Sequence, residues 1–352
     1  MFHEAFSENF SKLGTVLGRN ILSAVEAMVR CSNSNTTTIS RELCKINNKN
    51  FKANDTWLYR LLGHKEFLID DAMWRCYSNS IFSMLKDQGL IKTGDEILVP
   101  VDFTSDRDDF LICASSILID GLSIPLYFSM RNYPRRKDQM DQKKMELAFM
   151  KALRHLLPKK YRYRIIADRG FGNERFISYC SDRGFEYAIR LEPNTKVTVK
   201  DNAGKERTGI MAEILDSDGE YDCCIHSWHK EYRVARRSKD GMVWYICLSG
   251  SKSPGNEASK VYEKRFSIEK IFQNLKSSGF DIEKSKIKKY STFKRMLFLS
   301  VFAYAISVLV GKFIQDKMPA LKKRSPISTN LLIASSSLAL PALNSTQKRR
   351  IE

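Results

Sequence analysis

A tyrosine, an arginine, a glutamate and a lysine lie along residues 262–276, YEKRFSIEKIFQNLK, with two, three and six residues between them. On a helix, at about 100° per residue and with Tyr262 as origin, Arg265 falls at ~300°, Glu269 at ~340° and Lys276 at ~320°. The four side chains then share one sector of about 60°. Ile268, Ile271, Phe272 and Leu275 occupy roughly 180–280° of the same wheel, so an apolar stripe can pack on a core while the polar residues look across its rim. One carboxylate between two cations and a phenol suits a bound divalent metal flanked by phosphates. The same residues also suit a solvated face with an i,i+4 ion pair, so the assignment needs carboxylates from elsewhere in the chain.

Two upstream aspartates meet that need. The runs EILVPVDF and YRIIAD read as strands, the first ending at Asp102 and the other at Asp168. Carboxylates at the ends of neighbouring strands converge at one edge of a sheet, and a helix packed across that edge brings Glu269 to them. Asp102, Asp168 and Glu269 are therefore the candidate catalytic and metal-binding set. Three carboxylates can hold two Mg2+ ions, with Mn2+ as a substitute, one activating a water or a 3′ hydroxyl and the other stabilising the leaving oxygen of a phosphodiester. Asp106, Asp108 and Asp109 follow the strand end and rank lower.

Composition points the same way. In 352 residues, 58 Lys and Arg against 40 Asp and Glu leave a net charge of +18, which calls for a polyanionic partner, nucleic acid before an anionic membrane surface. Eight scattered cysteines show no C-x-x-C pair, and His226 and His229 have no further histidine at zinc spacing, so a disulfide framework and a zinc finger are both excluded. The N-terminus lacks the basic start and apolar run of a signal peptide, which places the chain in the cytoplasm. No glycine-rich nucleotide loop is present, so no ATP requirement follows.

The elements that must position these residues follow in chain order. Apolar residues recurring from Phe6 to Met28 predict an amphipathic helix, and ISRELCKI and TWLYRLLG predict two short ones, the last capped by Asn54 or Asp55. Trp57, Tyr59 and Arg60 on the last could meet a DNA groove or its phosphates; a small helical bundle with Trp57 and Leu61 in its core fits the same pattern. Three strand-like runs follow, the last two joined by the Asp120-Gly121 hairpin signal, then helix, strand, helix and strand. That order is the order of a ribonuclease H-like fold, an α/β architecture with a mixed sheet. The expected division is a helical DNA-binding domain (1–92), a catalytic core in two parts (93–191 and 251–318), a β-rich insertion (192–250) and a tail or dimer contact (319–352). MLFLSVFAYAISVLVG is shorter than the ~20 residues that span a bilayer and predicts a helix buried against the sheet.

With two strand-borne aspartates upstream, the Tyr-Arg-Glu-Lys spacing resembles that of the bacterial D-D-E insertion-sequence transposases, the group called insertion sequence family four. The resemblance implies a transposase that binds the terminal inverted repeats of its element as a homodimer, cleaves double-stranded DNA through a hairpin intermediate, and joins the 3′ ends to target DNA. It implies that Arg265 and Lys276 clamp phosphates near the scissile bond, that Tyr262 contacts the DNA end, and that Trp244 receives a displaced base. Trp244 also suits the core of its own strand, beside Val243, Tyr245, Ile246 and Leu248. An end-binding protein without catalysis and a ribonuclease H-like nuclease that cuts without joining are the alternatives.

Overall fold

The computed structural model describes residues 6, 9, 10, 14–106, 109–133, 141–200, 205–249, 257–277 and 279–317. Asp108 and the expected tail at 319–352 lie outside them.

After the helical residues Phe6, Asn9 and Phe10, four helices follow among the described residues: α1 (Thr15–Cys31), α2 (Thr36–Asn47), α3 (Phe51–Gly63) and α4 (Asp71–Asp87). The Asn35 and Asn50 side chains cap α2 and α3 by accepting from backbone N–H groups of the first turn. Asn50 therefore does what was expected of Asn54 or Asp55. Asn54 is instead buried, bonded to the Asn47 side chain at 2.7 Å and to the Lys49 and Asn50 carbonyls. Its amide needs those partners because a buried polar group without them is costly.

The strands join in one sheet in the order β3-β2-β1-β4-β5-β10-β9-β8-β6-β7. β1 (Glu96–Asp106), β2 (Phe110–Ile119) and β3 (Leu122–Asn132) form an antiparallel meander. Asp120 and Gly121 turn its second hairpin with φ of 48° and 75°, the left-handed pair that a two-residue turn requires. Helix α5 (Gln142–Leu156) leads to β4 (Arg162–Ala167), and α6 (Glu174–Asp182) to β5 (Glu186–Arg190); β4 runs parallel to both β1 and β5. The expected β-rich stretch supplies β6 (Lys196–Lys200), β7 (Glu206–Ile210), a helical turn α7 (Met211–Ile214), β8 (Gly219–Ile225), β9 (Lys230–Lys239) and β10 (Met242–Leu248). These strands continue the same sheet, since β10 pairs antiparallel with β5.

Alternation sorts β1 between two cores. Ile97, Val99 and Val101 enter the larger one, shared with the helices, while Leu98 faces a smaller one with Ile166, Ala188, Ala235, Trp244, Ile246, Leu248 and Tyr262. The chain then forms α8 (Glu257–Glu263), a 3-10 turn (Lys264–Phe266), α9 (Ser267–Lys276) and the long α10 (Tyr290–Lys317). Among the described residues α10 is the helix long and apolar enough to cross a membrane, yet 72% of its most apolar window is buried inside the fold. Phe302 on α10 meets the rings of Phe6 and Phe10 at 4.6 and 5.1 Å. Arg295, also on α10, donates to the Leu62 and Phe67 carbonyls at 2.7 and 2.6 Å, fastening the end of α3 to this helix.

Candidate active site

The stretch read as one helix is two, and the 3-10 turn between them reorients the residues. Ile268, Ile271, Phe272 and Leu275 are buried along α9, the apolar stripe expected. Tyr262 belongs to α8 and is 1% exposed, so it does not share the polar face. A tighter turn of 3.0 residues advances the chain by about 120° per residue and shifts the phase of everything before it.

Asp102 is not at the end of its strand. β1 continues four residues further, paired with β2 down to Asp106 and Phe110. What stops near Asp102 is β4: the two strands pair in register as far as Val101 and Ala167. Asp102 and Asp168 are therefore the next residues on adjacent parallel strands. Both have the parity of Leu98 and Ile166, which places them on the side of the smaller core. Asp168 accepts the Gly170 N–H at 3.0 Å and so caps the short turn that follows.

Arg265 joins the helix to the strand. Its guanidinium donates to Asp102 Oδ2 at 2.8 Å and to Glu269 Oε1 at 2.8 Å, while its planar face lies 4.6 Å from the Phe266 ring. Lys276, two helical turns beyond Glu269, donates through Nζ to the Ser105 carbonyl. Both cations of the signature thus reach β1. The Asp102 side chain is 14% exposed and that of Glu269 is 51% exposed, so Glu269 stands on the open side. Burial pushes the Asp102 carboxyl up to about 6, against the pull of Arg265 and with a further push from Asp168 and Glu269.

The remaining sequence candidates divide by exposure. Trp244 is 3% exposed in the smaller core, its ring 5.4 Å from that of Tyr262, so both aromatics expected at a DNA end lie beneath the surface here. Burial pushes the Tyr262 phenol up, with Arg265 and Arg190 pulling the other way. Tyr59 is exposed on α3, Arg60 is exposed beside it, and Trp57 is half-buried in a groove of about 160 Å³ with Val16, Leu17, Arg60 and His64. His226 bonds Thr198 Oγ1 at 2.7 Å.

Two residues escaped the sequence reading. Phe266 is 40% exposed immediately beside Arg265, and only its place in the 3-10 turn sets it outward. Glu146, on α5, is 2% exposed and carries a carboxylate into the region of Asp168. By residue type a glutamate in a lysine-rich helix start reads as surface, but the register was a usable signal: Phe149, Met150 and Leu153, three, four and seven residues on, put Glu146 within the apolar stripe of α5.

Among the described residues no three His, Cys, Asp or Glu side chains converge as a metal site. The hard oxygen donors of Asp102 and Asp168 nevertheless suit a divalent cation, and the guanidinium of Arg265 stands as the cation between Asp102 and Glu269.

Residues 137–306, just under half of the chain, match the family model described as Transposase DDE domain. That span holds Asp168, Tyr262, Arg265, Glu269 and Lys276 and begins after Asp102. No curated protein matches the chain. A structure of Marinitoga piezophila Argonaute in complex with 5′ OH guide RNA and target DNA is similar over 66% of this chain and 35% of that one, at 11% identity and a TM-score of 0.27. A second, in complex with 5′ OH guide RNA, is similar over 62% and 31%, at 12% identity and a TM-score of 0.22. The chain spans about a third of the length of those structures, and a likeness at that level carries no argument. The family match supports a DDE transposase, an enzyme acting on DNA in a family that generally uses divalent metal ions.

Proposed function

We propose that this chain is the transposase of an insertion sequence with the Tyr-Arg-Glu-Lys signature, acting as a homodimer on the terminal inverted repeats of its element in the cytoplasm. The observation that carries the reading is Arg265, which ties the first aspartate of the site, on β1, to the glutamate of the signature helix at 2.8 Å on each side. A sheet order of β3-β2-β1-β4-β5, with β4 and β5 parallel to β1, supports a ribonuclease H-like core around it. The helices before β1 would bind the element's ends, and β6 to β10 would be the insertion.

Asp102, Asp168 and Glu269 would hold the divalent metal, Mg2+ or Mn2+. When bound, it supplies an activated oxygen nucleophile and neutralises charge on the leaving oxygen. Arg265 has a donor fork suited to a phosphate as well as to carboxylates, so DNA would take it over as the carboxylates turn to the metal. Lys276 anchors the far end of α9 to Ser105 and brings a second cation to the same edge. Phe266, exposed beside Arg265, offers an unstacked base a surface that Trp244 does not offer in this conformation. Nicking, hairpin formation by the freed 3′ end, hairpin opening and joining to target DNA complete the proposed sequence.

The test uses Asp102→Asn, Asp168→Asn and Glu269→Gln on a DNA fragment carrying the element's end. Each variant is expected to shift the fragment in a gel as the parent does and to leave it uncut, because the carboxylates supply metal and the basic surface supplies affinity. Wild-type cleavage by any one of them sinks the assignment of that residue. Strand-transfer products in a plasmid assay separate a transposase from a nuclease that only cuts.

A further inference from the structure

Glu146 is a carboxylate where packing alone gives no reason for one. It shares α5 with Met145, Phe149, Met150 and Leu153, all buried, and is itself 2% exposed. Taking a carboxylate out of water costs more than hydrogen bonds from two neutral amides, Asn173 and Gln142, return, so an apolar residue would serve the helix better. Its Oε2 accepts a 3.0 Å bond from the side-chain amide of Asn173.

Asn173 closes the turn that carries Asp168. Its Oδ1 accepts the Phe176 N–H at 3.0 Å and starts α6, while its own N–H donates to the Phe171 carbonyl at 2.8 Å. Within the turn, Asp168 holds the Gly170 N–H, and Gly172 lies so close to the Arg190 carbonyl that a Cβ there would sit at 2.6 Å. The Phe171 ring stacks on Phe103 at 5.1 Å and 12°, next to Asp102 in the chain. The turn is thus held against β1, β5 and α5, and Glu146 is the α5 side of that grip.

Electrostatics link the same groups. Burial pushes the Glu146 carboxyl up to about 7, Asn173 and Gln142 pull it down, and Asp168 pushes it up. The buried Cys113 thiol is pushed up by burial and then by the charges of Glu146 and Asp102, so it lies within the field of both.

We propose that Glu146 is a positioning residue for the metal site: through Asn173 it fixes the turn that presents Asp168, and its charge adds to the negative field that holds a divalent cation there. The inference rests on the reading of Asp102 and Asp168 as metal ligands. A group bonded directly to a metal ligand commonly changes affinity by about 10–100-fold when removed; Glu146 reaches Asp168 through Asn173 and the turn, so its effect falls at or below the low end of that range.

Mn2+ binding to the full chain without DNA at about pH 8, where the Glu146 carboxyl is ionised, followed by electron paramagnetic resonance, tests this, with thermal unfolding on the same samples. Glu146→Ala and Asn173→Ala are expected to bind Mn2+ several-fold to about ten-fold more weakly than the parent. Glu146→Gln keeps an oxygen for the Asn173 amide, so it should unfold at the parent's temperature and still bind several-fold more weakly, which a merely structural role would not produce. If Glu146→Ala does not fold, Glu146→Gln decides alone. Parental Mn2+ affinity in folded Glu146→Gln, with affinity lost in Asp168→Asn, overturns the proposal and leaves the site standing. Parental affinity in Asp168→Asn overturns the site and the proposal with it.

Discussion

Replacing Arg265 by alanine removes both of its 2.8 Å bonds, and the two halves differ in weight. Asp102 and Arg265 have side chains 14% and 9% exposed, a setting in which removing one partner costs about 3–5 kcal/mol. Glu269 is 51% exposed, so its half is worth at most about 0.5 kcal/mol. The guanidinium also leaves a buried Nε without a hydrogen-bond partner, and deleting it relieves that cost, which brings the net loss to about 2–3 kcal/mol. The pH dependence has a definite sign. Asp102 is raised in the fold from 3.8 to about 6, so protonation favours the folded state and stability is lost as pH rises through about 6. Without Arg265 that carboxyl rises further, so the variant should be close to the parent at about pH 5 and furthest below it at about pH 8. Mn2+ should recover much of the deficit at the higher pH, because a ligand that binds only the native state stabilises it. Urea denaturation followed by tryptophan fluorescence, at both pH values and with and without Mn2+, measures all of this. A deficit equal at the two pH values and indifferent to Mn2+ would show that Arg265 is not the counter-ion of Asp102.

Three further outcomes follow from burial and reach. Trp244→Ala should lose about 3–5 kcal/mol in denaturant unfolding and lower every activity together, since its ring is 3% exposed against Tyr262; near-parental stability with a selective loss of hairpins would restore the base-receiving role. Phe266→Ala, by contrast, removes a ring that is 40% exposed and should unfold like the parent while slowing hairpin formation in a single-turnover assay; an unchanged hairpin rate removes Phe266 from the site. Arg60→Ala should weaken binding to the element's end in a gel shift and spare cleavage of DNA once bound, whereas Lys276→Ala should do the reverse; Arg60→Ala binding normally and cutting poorly would move the end-binding surface away from α3.

Periodicity along the chain was enough for the parts that depend on neighbours in sequence. The apolar stripe of α9 is Ile268, Ile271, Phe272 and Leu275 because a 3.6-residue repeat needs no knowledge of what it packs against. Asp120-Gly121 turns its hairpin because few residue pairs adopt two positive φ angles in succession. Asp168 directly follows its strand because the apolar run of β4 ends there. Tertiary structure decided the rest. Arg265 finds Asp102 across 163 residues of chain, and nothing local in either segment encodes that pairing. The strand β1 outruns β4 at Asp102 because pairing with β2 sustains it, and a strand's end is set by its partners as much as by its own residues. Tyr262 and Trp244 are hidden because α8 lies over β10 and β5, and a 3-10 turn that no repeat announced separates Tyr262 from the face it was expected to share. Glu146 is the sharpest case: its charge reads as surface while its register with Phe149, Met150 and Leu153 reads as core, and only the turn from Asp168 to Asn173 folding against α5 gives the buried carboxylate the Asn173 partner that resolves the conflict.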